Sequence, residues 1–178
     1  MRLRWMAVCG VAAVVAAGVG SAAAQGPKEI KVAISDAKGA DVGSATFKTV
    51  KSGVQVKIAL KGLPAGPHGV HIHQKPLCEG PAFTTAGGHF NPDGKKHGYQ
   101  NPMGHHNGDM PDNVNVGADG KGSATFVLTS ISLDPAAADS LLANGGTSIV
   151  VHEKADDEMT DPSGASGARI ACGVIKGQ

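Results

Sequence analysis

Apolar side chains recur at every second position in two early stretches, first Ile30, Val32 and Ile34 and then Val54, Val56, Ile58 and Leu60, with polar residues or alanine between them. Alternation of this kind puts the apolar side chains of a strand on one face, so each stretch predicts a β-strand with one side buried. Similar segments run from Ser44 to Val50, Gly69 to His73, Val114 to Ala118, Ser123 to Leu128, Ser148 to His152 and Ala168 to Ile175. Eight strands predict an all-β domain, a closed barrel or a sandwich. The short connections Asp36 to Gly43 and Lys51 to Gly53 predict an antiparallel meander for the first three strands. Later connections are long and need crossovers. One helix of two or three turns is expected after Asp134, which can cap it, with Pro135 in its first turn and Asn144-Gly145-Gly146 as its stop.

Two stretches lack any such period. Gln74 to Asn113 is 40 residues long, more than a compact domain usually leaves without regular structure, so something other than apolar packing has to hold it. Glu153 to Gly167 is acidic and rich in small residues, and by composition reads as disordered. Neither contains a second core or a linker-like repeat. The chain therefore reads as one domain with two long functional loops.

The N-terminal end stands apart. Arg2 and Arg4 precede an apolar run from Met6 to Val19 that ends in Ala22-Ala23-Ala24, the pattern of a secretory signal peptide over residues 1–24. The run is short for a bilayer span, and no later stretch approaches the roughly 20 apolar residues that a spanning helix needs. No stable membrane insertion is expected after signal removal, and residues 25–178 form the domain. Loss of Arg2 and Arg4 turns 16 cations against 15 anions into a net charge of −1. Bulk basicity therefore cannot carry nucleic-acid binding. A hydrophobic fraction of 41% excludes a wholly disordered chain, while 26 Gly and 10 Pro with 3% aromatics fit turns, loops and a lean core. Cys9 leaves with the signal, and Cys78 and Cys172 remain in an exported chain, where oxidising surroundings favour a bond between them. In the chain-entropy account a loop of that size is worth about 4 to 5 kcal/mol.

Seven of the eight histidines, His68, His71, His73, His89, His97, His105 and His106, lie in or beside the first long loop, and His152 follows later. His71 and His73 are two positions apart on a predicted strand, so both imidazoles share one face while Val70 and Ile72 turn to the core. Taken alone, such a pair is as easily a solvated strand face as a metal site. His152 ends another strand, and His89 follows Gly87-Gly88, where backbone can approach closely. Four imidazoles can converge there. Nitrogen-only ligands suit Cu(II) without excluding zinc, so spacing does not name the metal. His97, His106 and Asp109 supply two imidazoles and a carboxylate, a set that fits tetrahedral zinc if one more histidine joins. His89 is the candidate to be shared, because two cations together lower the cost of removing an imidazole's second proton.

Beyond these spacings, several segments carry a family likeness: Gly66-Pro67-His68-Gly69-Val70-His71-Ile72-His73, Gly88-His89-Phe90-Asn91-Pro92, Lys96-His97-Gly98, His106-Asn107-Gly108-Asp109, Val150-Val151-His152-Glu153-Lys154-Ala155-Asp156-Asp157 and Gly167-Ala168-Arg169-Ile170-Ala171-Cys172-Gly173-Val174-Ile175. In order and across nearly the whole mature chain, they resemble the exported bacterial copper/zinc superoxide dismutases. The resemblance implies an eight-stranded antiparallel Greek-key β-barrel with one copper ion and one zinc ion per subunit. It implies copper on His71, His73, His89 and His152, and zinc on His89, His97, His106 and Asp109. It also implies a Cys78–Cys172 disulfide tying the long loop to the last strand, an Asp156 carboxylate accepting from one copper and one zinc histidine, and Arg169 beside copper. His68 and His105 are left over. His68 reads as a turn or supporting residue, and His106 is preferred to His105 because it stands three residues before Asp109. Gln74 follows the copper pair where an acid is common, and the acidic run before Arg169 is short.

The same resemblance implies superoxide as substrate, dismuted to oxygen and hydrogen peroxide with Arg169 and His89 taking part. The signal peptide and the bacterial-like loops predict a periplasmic protein, and the sequence leaves monomer or homodimer open. Attraction of an anion to a near-neutral protein would come from the copper site, Arg169 and nearby lysines such as Lys75, Lys95, Lys96 or Lys154. A non-catalytic exported copper/zinc buffer or carrier is the alternative. Carriers favour thiol or thioether clusters for Cu(I), and Met103, Met110 and Met159 form no such cluster. A copper-only dismutase would lack His97, His106 and Asp109, and a zinc-only relative would have lost a copper histidine.

Overall fold

The computed structural model describes Met1 and residues 26–177, so the segment read as a signal peptide lies outside the described residues. Nine strands form one antiparallel sheet: β1 (Glu29–Asp36), β2 (Asp41–Val50), β3 (Gly53–Leu60), β4 (Gly66–His68), β5 (Val70–His73), β6 (Val114–Val116), β7 (Gly122–Leu128), β8 (Thr147–His152) and β9 (Arg169–Ile175). Their spatial order is β4-β6-β7-β3-β2-β1-β9-β8-β5. The first three strands make the expected meander, and the later ones pair through crossovers, β7 against β3 and β9 against β1. β4 and β5 stand at opposite ends of this order, yet only Gly69 separates them in the chain. The sheet therefore curls into a nearly closed barrel whose seam runs through Gly69.

Alternation places Ile30, Val32 and Ile34 of β1, Ala45 and Phe47 of β2, and Val54, Val56, Ile58 and Leu60 of β3 inside, all nearly inaccessible. Val70, Ile72, Ile149 and Val151 join them from the metal-side strands. His71, His73 and His152 point the other way, into the space beneath the two loops.

Three expectations need correction. Among the described residues the strand count is nine rather than eight, because Gly66–His68, outside every expected strand, pairs with Val114–Val116. His68 is fixed there by hydrogen bonds from its ring nitrogens to the carbonyls of His152 and Pro64, at 2.7 and 2.9 Å. No α-helix follows Asp134: its carboxylate accepts from Ala136 N at 3.0 Å, but the chain then folds back, Leu141 N bonding Ser132 O, and only a 3-10 turn forms at Ala143–Gly145. This closure buries Leu133 and Leu141 together, which outweighs the helical tendency of three small alanines that have little apolar surface to hide. The acidic loop is ordered, held by Glu153 N to Ala168 O, Lys154 N to Ser166 O and Asp157 N to Gly164 O.

Candidate metal centre

β5 delivers two imidazoles to one face, and the long loop folds back against it. Phe90 N donates to Ile72 O, Ile72 N to Gly108 O and Gly108 N to Phe90 O, each at 2.8 Å. A Cβ on Gly108 would lie 2.4 Å from Ile72 O, so this approach needs glycine. The result sets His89 beside His73 and Asp109 beside His71. β8 adds His152, whose amide donates to Gly69 O at 2.8 Å.

Two groups of donor atoms emerge, each with all members within 4.8 Å of one another: His71, His73, His89 and His152, and His71, His89, His97 and Asp109. His106 adjoins the second, its Nδ1 3.2 Å from His89 Nδ1 and 3.3 Å from Asp109 Oδ1. His71 spends its Nε2 on Asp156 Oδ2 at 2.7 Å, which leaves Nδ1 for the first group. His89 directs Nδ1 at Asp109 Oδ1, 2.9 Å away, which leaves Nε2 on the other side. All seven side chains expected as ligands therefore meet. His105 does not join them: its ring stacks on Tyr99 with centroids 3.8 Å apart, and its Nδ1 bonds the His106 carbonyl.

Five ring nitrogens are buried with no hydrogen-bond partner: His71 Nδ1, His73 Nε2, His89 Nε2, His152 Nε2 and His97 Nδ1. Leaving buried polar atoms unpaired costs about 1 to 3 kcal/mol each. Four of them, on His71, His73, His89 and His152, converge as lone pairs that a bound cation satisfies, and His97 Nδ1 adds a fifth when a cation displaces its proton, so the residues present fit copper and zinc. The other ring nitrogens are engaged, His73 Nδ1 with Gly87 O at 2.9 Å and His71 Nε2 and His97 Nε2 with Asp156. Bonds of this kind fix tautomer and ring angle in metal sites.

The electrostatics agree. Burial pulls His73 well below the usual imidazole range, with His89 adding to it, and burial with the neighbouring His71 takes His89 and His152 to about 3. His71 is lowered by burial despite its bond to Asp156. These imidazoles are neutral and ready to donate. Burial opposes charge on His97 too, but Asp109 and Asp156 outweigh it and raise it to about 10. Burial works against ionised Asp109, yet His106, His89, His97 and the Gly98 amide hold it far below the carboxylate range. Asp156 is held low, against burial, by His71 and His97. Two buried carboxylates demand positive charge, and without metal the His97 imidazolium supplies it.

Arg169 starts β9 beside this centre. Its guanidinium donates to Phe83 O at 2.8 Å and Gly87 O at 2.7 Å. With His73, His89, His152, Asn91 and Ser163 it lines an opening of about 420 Å³. Cys78 and Cys172 are bonded, with Cα atoms 5.6 Å apart, and fasten the same loop to β9.

Some contributors carry no sequence signal. Asn113 clamps the backbone of Asp156 from both sides, Nδ2 to its carbonyl at 2.9 Å and Oδ1 from its amide at 2.7 Å. The amides of Gly98 and His106 donate to Asp109 Oδ2. Glu158 is buried, with its carboxyl pushed up to about 7 by burial and then by Asp156. An Asx-type clamp and backbone amides are visible only once the loops are folded.

A family model described as copper/zinc superoxide dismutase matches residues 42–175. The chain is 43% identical over 142 residues to a Cu-Zn superoxide dismutase of Aquifex aeolicus, covering 78% of this chain and 81% of that protein. It is 42% identical over 140 residues to a Cu-Zn superoxide dismutase of Caulobacter vibrioides, covering 78% and 80%. Among solved structures, a SOD-like protein from Bacillus subtilis matches with a TM-score of 0.77 and 41% identity over 82% of this chain and 97% of that one. The Cu/Zn superoxide dismutase from Brucella abortus matches with a TM-score of 0.66 and 29% identity, over 83% and 99%.

Proposed function

The chain belongs to the copper/zinc superoxide dismutase family, and from that premise we propose how its residues divide the reaction. The enzyme converts two superoxide anions and two protons into oxygen and hydrogen peroxide. When bound, copper would supply the one-electron redox chemistry that this dismutation needs. His71, His73, His89 and His152 would hold it, and His89, His97, His106 and Asp109 would hold zinc. The carrying observation is the set of five buried, unpartnered imidazole nitrogens converging in two adjoining groups.

His89 is the hinge of this assignment, since it offers a nitrogen to each group. Its Nε2 is the atom at which a proton can be held for the peroxide, while Nδ1 stays directed at Asp109 and His106. Asp156 orients His71 and His97 with one carboxylate, so the two groups share a support. Arg169, its pose fixed by two carbonyls, draws the anion into the opening and can hydrogen-bond it there. Of the four lysines named from sequence, Lys95 and Lys96 lie against Asp93 and Asp161 at 3.6 and 2.8 Å. Lys75 and Lys154, without such partners among the described residues, are the better candidates to assist.

The N-terminal pattern supports export, and we assign the protein to the periplasm. Every donor comes from one chain, so association into a homodimer would leave two complete and independent sites. The test is metal analysis with a superoxide assay on purified protein, before and after selective copper removal. Full activity without copper would overturn this reading, as would absence of activity in protein carrying both metals. The latter result would favour the metal buffer.

A further inference from the structure

We infer that the outer face of β1–β3 is a docking surface for an anionic lipid bilayer. Alternation sends Ile30, Val32, Phe47, Val56 and Ile58 inward, so their neighbours face out. Register places Lys31, Thr46 and Lys57 in one row across the three strands and Glu29, Lys48 and Gln55 in the next. With roughly 4.8 Å between strands, Lys31 and Lys57 stand about 10 Å apart and Lys48 lies on the row beside them. Lys28 and Lys51 sit at the same end, Lys28 through its carbonyl bond from Thr49 N at 3.0 Å and Lys51 in the turn between β2 and β3. All five lysines are exposed.

Little opposes them. The one acid on these two rows, Glu29, lies 3.5 Å from Lys31. Lys28, Lys48, Lys51 and Lys57 have no ion-pair partner among the described residues. Next to β3, the outward residues of β7 are Ser123, Thr125 and Val127, all uncharged. The segregation extends to the whole chain: residues 28–61 carry seven cations against three acids, a net +4, while residues 62–178 carry seven against twelve, a net −5. A protein that is almost neutral overall is therefore a dipole with its positive end on this face.

Charge complementarity calls for an anionic partner, and the layout favours a sheet of separate charges. The lysines spread in two dimensions over the face rather than along one line, and the hollow recorded on β2–β3 lies toward Asp41, Ser44 and Lys61, away from Lys28, Lys31, Lys48, Lys51 and Lys57. Headgroups of a bilayer meet all five at once. The metal donors stand on β5 and β8, beyond β1 and β9 in the sheet order, so docking by β1–β3 leaves the Arg169 opening free.

The test is co-sedimentation of the exported chain with vesicles of phosphatidylcholine alone or mixed with phosphatidylglycerol. Binding is expected to the mixed vesicles only, and to disappear at about 0.5 M salt, where screening is strong. Each lysine near an anionic surface contributes roughly fivefold to partitioning. The triple variant Lys48→Thr, Lys51→Thr, Lys57→Thr should therefore bind on the order of 100-fold more weakly. The charge-matched control Lys38→Thr, Lys121→Thr, Lys176→Thr should stay within about threefold of the parent. Thermal melting and dismutase activity, expected to be unchanged, verify that both variants are folded. Equal loss in the two triple variants, equal binding to uncharged vesicles, or binding to inorganic polyphosphate without binding to mixed vesicles would each overturn the inference.

Discussion

Replacement of Asp156 by asparagine isolates the support shared by the two metal groups. The side chain is almost fully buried and the exchange keeps its shape, while Asn113 continues to hold the backbone. In the parent, Oδ2 accepts from His71 Nε2 at 2.7 Å, and Oδ1 accepts from His97 Nε2 at 3.0 Å and from Glu158 N at 2.7 Å. Asparagine has one oxygen. If it keeps the Glu158 amide and His97, its NH₂ group confronts the N–H of His71, donor against donor. Loss of one hydrogen bond to a charged group costs about 1.5 to 3 kcal/mol, or roughly 10- to 150-fold in affinity. That agrees with the roughly 10- to 100-fold effects of such carboxylate partners in other metal sites. Zinc and copper affinities, each measured by competition with a chromophoric chelator, should both fall in Asp156→Asn. Asp157→Asn is the control, because that exposed carboxylate bonds Thr160 and the Met159 amide and no imidazole. Affinities for both metals within threefold of the parent in Asp156→Asn would refute the orienting role.

Three further outcomes follow from the geometry. In Gly164→Ala a Cβ would stand 1.6 Å from Asp156 Oδ1 at a backbone φ of +63°, so the carboxylate must move; a loss of zinc affinity at least as large as in Asp156→Asn is expected, and parental affinity would contradict the packing. Arg169→Glu should slow turnover at low salt and flatten its dependence on salt while copper content stays constant, as read by stopped-flow kinetics with metal analysis; an unchanged low-salt rate counts against attraction by Arg169. For metal-free protein, unfolded imidazoles take up protons below about pH 6.5, whereas buried His89 and His152 resist until about pH 3. Acidification through that window therefore favours the unfolded state. His97 acts oppositely, its contribution complete below about pH 6.5 and lost as pH rises through about 10. Urea unfolding across pH should show stability falling on the acid side, and a flat profile there would sink the assignment of neutral buried imidazoles.

The inner faces of β1, β3 and β5 were legible in the sequence because period-2 alternation is a local property. So were the seven side chains that the fold gathers at one place, since residues of unusual chemistry mark themselves and the resemblance ordered them. What escaped was non-local. Gly66–His68 is too short to show a period and becomes a strand only by pairing with Val114–Val116. The stretch after Asp134 has a good helix start, yet burial of Leu133 with Leu141 decides its path. Glu153 to Gly167 looked disordered because its order comes from backbone bonds and from Asn113, 43 residues away from Asp156. The copper and zinc sets were separable only by family likeness; the folded chain gathers their donors into two overlapping groups that share His71 and His89.

The seam at Gly69 ties these threads together. Among the described residues no ladder joins β4 to β5, and the histidines that stand beside that gap, His71 and His152, belong to the first donor group. Ions bound there would act as a clasp on a rolled sheet. Resistance to unravelling should then climb with free metal by mass action, so that for this protein loading its cargo and locking its shape are one event.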